Sequence, residues 1–135
     1  MARILVVDDE KTFCDYFARY LATQGFTVEH VYDGREALTR LQQGTFDAVI
    51  SDRRMPGTDG LELLRVVKTW RPSAHTFLMA AFDAPPGIET DLSGMFNKPF
   101  KFREVVMTLR SILQRIPHLD GVPACSIEKE VKEYE

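Results

Sequence analysis

Five short apolar runs, at residues 4–7, 27–31, 47–51, 76–81 and 94–96, alternate with amphipathic stretches along this chain. No other feature restricts the fold as tightly. A short apolar run bounded by turn residues reads as a strand covered on both faces. Strands separated by helix-length segments read as a parallel sheet flanked by helices. The first intervening stretch places Phe13, Phe17 and Leu21 at helical spacing and ends at Gly25. The second opens with Asp33 as N-cap and Glu36 three residues later, buries Ala37, Leu38 and Leu41, and stops at Gly44. The third repeats the device from Asp59, with Leu61, Leu64 and Val67 on one face and Trp70 packed at its end. The last carries Phe102, Val105, Val106, Leu109, Ile112, Leu113 and Ile116 before Pro117, which cannot continue a helix. Between the fourth and fifth strands, Pro85, Pro86 and Gly87 leave room for a short helix only, Glu89 to Ser93 at most.

Carboxylates fall where these runs end. Asp8 and Asp9 follow the first run and Asp52 follows the third. In an open α/β sheet the ligand crevice lies beyond the carboxyl ends of the strands, so neighbouring strands gather all three acids. Carboxylates about 4–5 Å apart repel by several kcal/mol at an effective dielectric near 20, and unrelieved, one takes up a proton. A hard dication with oxygen ligands relieves them, and Mg²⁺ commonly combines one or two carboxylates with waters and phosphate oxygens. Lys98, ahead of Pro99 and Phe100, brings the local charge to neutrality. Such a set suits phosphoryl transfer, which needs an in-line nucleophile and cations around the equatorial oxygens.

With 135 residues, 44% of them hydrophobic, the chain fits one domain with an ordinary core. A net charge of -3 argues against direct contact with nucleic acid. No apolar run approaches the roughly 20 residues of a membrane helix, and no signal peptide is visible. Cys14 and Cys125 lie far apart, and Cys14 reads as core, so a reduced, cytoplasmic protein is expected. His30, His75 and His118 have no partners at metal-ligand spacing and read as ordinary histidines.

The sequence Ile4-Leu5-Val6-Val7-Asp8-Asp9-Glu10, Asp52 followed by Met55-Pro56-Gly57-Thr58-Asp59-Gly60, and Lys98-Pro99-Phe100 together resemble the receiver domain of two-component response regulators, CheY-like. The resemblance spans about residues 3–116. It implies a flavodoxin-like (βα)5 fold, a doubly wound five-stranded parallel sheet of strand order 2-1-3-4-5, here with a shortened fourth helix. It further implies a receiver over 1–116 and a tail or linker over 117–135. Asp52 would be the phosphoacceptor and Asp9 a direct ligand of Mg²⁺, with Mn²⁺ an alternative. Asp8 would act through a metal-bound water, and the backbone carbonyl of Arg54 would complete the protein ligands. Lys98 would contact the phosphoryl oxygens, its bond to Pro99 being cis. The donor would be a sensor histidine kinase or a phosphotransfer protein. The output domain or partner protein is not written in these residues, and a homodimer is one arrangement receivers adopt. The module is not an enzyme beyond its own phosphorylation and slow dephosphorylation.

Two positions depart from the family. Receivers usually carry Thr or Ser at the end of the fourth strand, where this chain has Ala80, and Thr76 stands too early to replace it. Three residues before the lysine, where Tyr or Phe is usual, stands Met95, with Phe96 expected on the opposite face. Both changes fall on the output side, which predicts retained phosphoryl chemistry with an altered switch. Arg53, Arg54 and Phe82 border the same mouth; the arginines read more simply as solvated loop residues. The main alternative is a receiver-like interaction module that works regardless of phosphate. A haloacid-dehalogenase-like phosphatase, with Asp8 as nucleophile, fits less well because Glu10 stands where that motif wants Asp.

Overall fold

The computed structural model describes residues 2–81 and 92–113. The expected short fourth helix, Phe82, His118, Cys125 and the expected tail lie outside the described residues. Two units divide the chain, Met1–Pro99 and Phe100–Glu135.

The first unit runs β1 (Arg3–Val7), α1 (Lys11–Thr23), β2 (Thr27–Val31), α2 (Gly34–Gln43), β3 (Ala48–Asp52), β4 (Arg54–Met55), β5 (Thr58–Asp59), α3 (Gly60–Trp70), β6 (His75–Ala80) and β7 (Gly94–Asn97). Five strands form one sheet in the order β2-β1-β3-β6-β7. All of its pairings are parallel. Apart from the small β4-β5 ladder, this is the 2-1-3-4-5 order the sequence resemblance implies. It places Val7 beside both Val31 and Ser51, so the carboxyl ends of β1 and β3 meet.

Strand alternation sorts the core into two layers. Leu5, Val7, Val49, Leu78 and Ala80 join Ala37, Leu41, Leu64 and Val67 in one buried cluster, beneath α2 and α3. Residues of the other parity, Ile4, Val6, Ile50, Phe77 and Met79, are equally buried. The chain reverses direction across the sheet after β2, and right-handed crossovers then place α1 on the face opposite α2. In the second unit, α4 (Phe102–Leu113) buries Val105, Val106 and Leu109, the middle of its expected stripe.

Capping follows the expected chemistry. Asp33 accepts a hydrogen bond from the Glu36 N–H at 2.8 Å, and Asp59 accepts from Leu61 at 2.9 Å. Gly25, with φ 95°, takes the left-handed turn after α1. Three packing expectations need correction. Phe13 lies outside the buried stripe of α1, which consists of Phe17, Ala18, Leu21 and, as expected, Cys14. Helix α3 buries Gly60, Leu63, Leu64 and Val67, an i, i+3, i+4, i+7 set that turns Leu61 toward its rim. Trp70 ends α3 with 39% of its surface in water rather than packed.

The stretch after Asp52 folds into a hairpin that periodicity does not reveal. Met55 pairs with Thr58 across Pro56 and Gly57, and Gly57 has φ 73°. Proline followed by a positive-φ glycine is the residue pattern of a type II turn. The hairpin leads into Gly60, whose N–H donates to the Arg53 carbonyl at 2.7 Å. A Cβ at Gly60 would lie 1.9 Å from the carbonyl oxygen of Asp52. Gly60→Ala must therefore push apart the end of β3 and the start of α3, and should cost about 2 kcal/mol in urea denaturation. A variant as stable as the wild type would contradict this close approach.

Candidate functional site

Asp8 and Asp9 stand just past β1, and one oxygen from each lies within 4.8 Å of the other and of an Asp52 oxygen. The sequence places Asp52 beyond its strand; it is instead the last residue of β3, opposite Met79. The Arg53 N–H extends that pairing by donating to the Met79 carbonyl at 2.9 Å. The acceptor candidate thus stands on the sheet itself.

The three acids differ in exposure. Asp8 is fully buried, Asp52 half-buried and Asp9 exposed. Both Asp8 oxygens accept hydrogen bonds: Oδ1 from the Glu10 N–H at 3.0 Å, and Oδ2 from Lys98 Nζ at 2.9 Å. Lys98 Nζ also stands 3.3 Å from Asp52 Oδ1. The lysine follows β7, its N–H donates to the Ala80 carbonyl at 2.8 Å, and its bond to Pro99 is cis.

Burial pulls the Lys98 ammonium toward deprotonation, but the hydrogen bond and charge of Asp8, then of Asp52, outweigh it and hold it above the ordinary lysine value. Burial, and then the charge of Asp8, push Asp52 above the usual carboxylate range, and Lys98 only partly offsets this. Unit charges at 4.8 Å repel by about 3.5 kcal/mol at an effective dielectric near 20. An all-oxygen set under that strain fits a hard dication of the Mg²⁺ or Mn²⁺ type. Among the described residues it is the one group of three or more metal-ligating acids, histidines or cysteines.

The switch positions lie beside the acids. Ala80 is buried at the end of β6 and offers no hydroxyl. Thr76 is buried on the same strand opposite Val49, toward the other end of the sheet, and its Oγ1 has no hydrogen-bond partner among the described residues. Met95 packs, half-buried, against the cluster containing Leu78 and Ala80. Phe96 faces the other way and stacks on Phe77 with centroids 5.5 Å apart, as alternation predicts. Arg53 is half-buried, and Arg54 is exposed on β4.

The two described histidines stand apart from the acids. His30 Nε2 lies 3.1 Å from Asp15, and His75 Nδ1 lies 3.3 Å from Ser93 Oγ. Cys14 is core as expected, its thiol pushed up to about 12 by burial first and then by the charge of Asp8. Phe13 is the neighbour that sequence reasoning missed. Its ring centre lies 4.4 Å from Lys98 Nζ. The only signal was its place one turn into α1, where it reads as core.

A five-stranded parallel sheet of this order, with acids gathered at the carboxyl ends of its central strands, defines a CheY-like domain of flavodoxin-like fold. The model of the response regulator receiver domain matches residues 4–110, and the chain belongs to that family. It is a signalling module of two-component systems. The transcriptional regulatory protein TcrA of Mycobacterium tuberculosis is 37% identical over 119 residues, covering 85% of this chain and 47% of TcrA. The chain thus spans about half the length of the curated relatives it matches. Among solved structures, the Thermotoga maritima response regulator TrrA in complex with Mg²⁺-BeF is 30% identical with TM-score 0.76, over 84% of this chain and 100% of that one. A second structure, the histidine kinase ThkA in complex with TrrA, matches with the same identity and TM-score, over 84% of this chain and 99% of that one.

Proposed function

We infer that this chain is the phosphoacceptor module of a two-component relay. The observation that carries the reading is the placement of Lys98 between Asp8 and Asp52 at the carboxyl ends of β1 and β3. An Asp52 carboxylate oxygen attacks the phosphorus, and the phosphorus–nitrogen bond to the donor histidine breaks as the aspartyl phosphate forms. The donor is a sensor histidine kinase or phosphotransfer protein; the kinase complex of TrrA supports that partner class. Lys98 is an ammonium poised to follow the new negative charge onto the phosphoryl oxygens.

Asp9, Asp52 and the Arg54 carbonyl would hold Mg²⁺, or Mn²⁺ in its place, which would supply positive charge to the transferring phosphoryl group. Exposed Asp9 suits direct ligation. Asp8, whose oxygens already accept from Glu10 and Lys98, suits contact through water. The Mg²⁺-BeF complex of TrrA supports Mg²⁺ as the cation.

The receiver occupies 1–116, and 117–135 form a tail or linker toward an output domain or partner protein. The module works in the cytoplasm; no helix among the described residues is long and apolar enough to cross a membrane. Its switch is altered. Ala80 withholds a hydrogen bond to a charged acceptor worth about 1.5–3 kcal/mol, or one to two decades of bias toward an activated state. Ala80 and Met95 also favour the second reading, a partner-binding module indifferent to phosphate. Complete burial of Asp8 disfavours it as a phosphatase nucleophile.

Intact-mass analysis after acetyl phosphate and Mg²⁺, followed by sizing, tests these readings together. The wild type should gain one phosphoryl group, Asp52→Asn none, and the oligomeric state should not change. An unmodified wild type would favour the second reading. A phosphate-dependent change of oligomer would overturn the altered switch.

A further inference from the structure

The ammonium of Lys98 has a third neighbour that no phosphoryl chemistry requires. Besides Asp8 and Asp52, it sits 4.4 Å from the centre of the Phe13 ring. That distance lies well inside the range over which a cation is drawn to an aromatic face. The ring is braced: Phe13 stacks on Phe17 with centroids 5.6 Å apart, and Phe17 is fully buried. Phe13 is partly buried and lies at the edge of the fully buried stripe of α1.

We propose that Phe13 is a positioning residue, a braced aromatic wall that holds the Lys98 ammonium over the acids while shielding it from water. The inference rests on the phosphoacceptor reading for its consequence, but the contact itself does not. Hydrogen bonds to Asp8 and Asp52 fix the ammonium to particular oxygens. Attraction to a ring face is broad in direction, so the ammonium can swing from carboxylate to phosphoryl oxygen without regaining a full water shell. The wall keeps the side chain desolvated, which strengthens each charge interaction it makes.

The test compares Phe13→Leu, which keeps apolar bulk but has no ring, with Phe13→Tyr, which keeps the face. Phosphoryl uptake from acetyl phosphate with Mg²⁺ should slow about five-fold in Phe13→Leu and stay within two-fold of wild type in Phe13→Tyr. Proton NMR of the metal-free protein supplies a readout independent of chemistry. The Lys98 ε-methylene protons should be shifted upfield by the ring, and the shift should vanish in Phe13→Leu and persist in Phe13→Tyr. A cycle with Lys98→Met in urea denaturation should show coupling between the two positions. Unshifted ε-protons, or additive losses of stability, would overturn the proposal. A wild type that takes no phosphoryl group while showing the shift and the coupling would overturn the phosphoacceptor reading and leave the positioning contact standing.

Discussion

Lys98→Met in metal-free buffer should unfold about 3–5 kcal/mol more easily than the wild type. Asp8 has none of its surface in water, and its Oδ2 accepts from Lys98 at 2.9 Å. Removing the ammonium leaves that carboxylate in the interior with the backbone N–H of Glu10 as its hydrogen-bond donor among the described residues. A buried charge stripped of its counter-ion costs far more than the pair contributes, because desolvation is no longer offset. Methionine fills a similar volume, so packing loss alone does not account for a drop of this size. Two companions isolate the cause. Mg²⁺ should recover much of the loss by restoring positive charge, and adding Asp8→Asn should recover it without metal. A Lys98→Met protein that unfolds at the wild-type urea concentration would show that Asp8 does not depend on this partner.

The second large effect concerns metal and pH together. Burial and the charge of Asp8 raise Asp52 above the usual carboxylate range in the folded protein, whereas the unfolded chain titrates it near the ordinary value of about 4. Between those two values the folded state holds more protons than the unfolded. Stability from this group is present at the acid side of the window and is lost as pH rises through the folded value. The dication requires ionised carboxylates, so its stabilisation grows across the same window. At free Mg²⁺ near one hundred times its dissociation constant, it should add about 2.7 kcal/mol at neutral pH. Asp52→Asn should flatten the metal-free decline and remove most of the Mg²⁺ response. Urea denaturation from about pH 5 to about pH 8, with and without Mg²⁺, checks both. A variant keeping the full Mg²⁺ response would take Asp52 out of the ligand set.

The acids were legible in the sequence because each follows a run that can only be a buried strand, and sheet order then does the gathering. Asp33 and Asp59 were legible as caps because a short acid ahead of a helical stripe satisfies the first N–H groups. Phe13 was not legible. Periodicity says which residues share a helix face but not how that helix is rotated over its sheet, and rotation decided that Phe13 sits at the edge of the buried stripe rather than within it. The same ambiguity hid Leu63 behind Leu61. Gly60 reads as an ordinary residue after an N-cap; only its distance to the Asp52 carbonyl shows that nothing larger fits. The β4-β5 hairpin has two residues per strand, too short to leave any period. Pairings such as Lys98 with Asp8 join positions far apart in the chain and follow from the fold alone.

Mapping the acyl phosphate to one residue tests the central claim most directly. After acetyl phosphate and Mg²⁺, borohydride reduction converts an aspartyl phosphate to homoserine, which fragment mass spectrometry locates in the chain. The expected result is homoserine at position 52 alone. Homoserine at position 8 or 9, with none at 52, would contradict it.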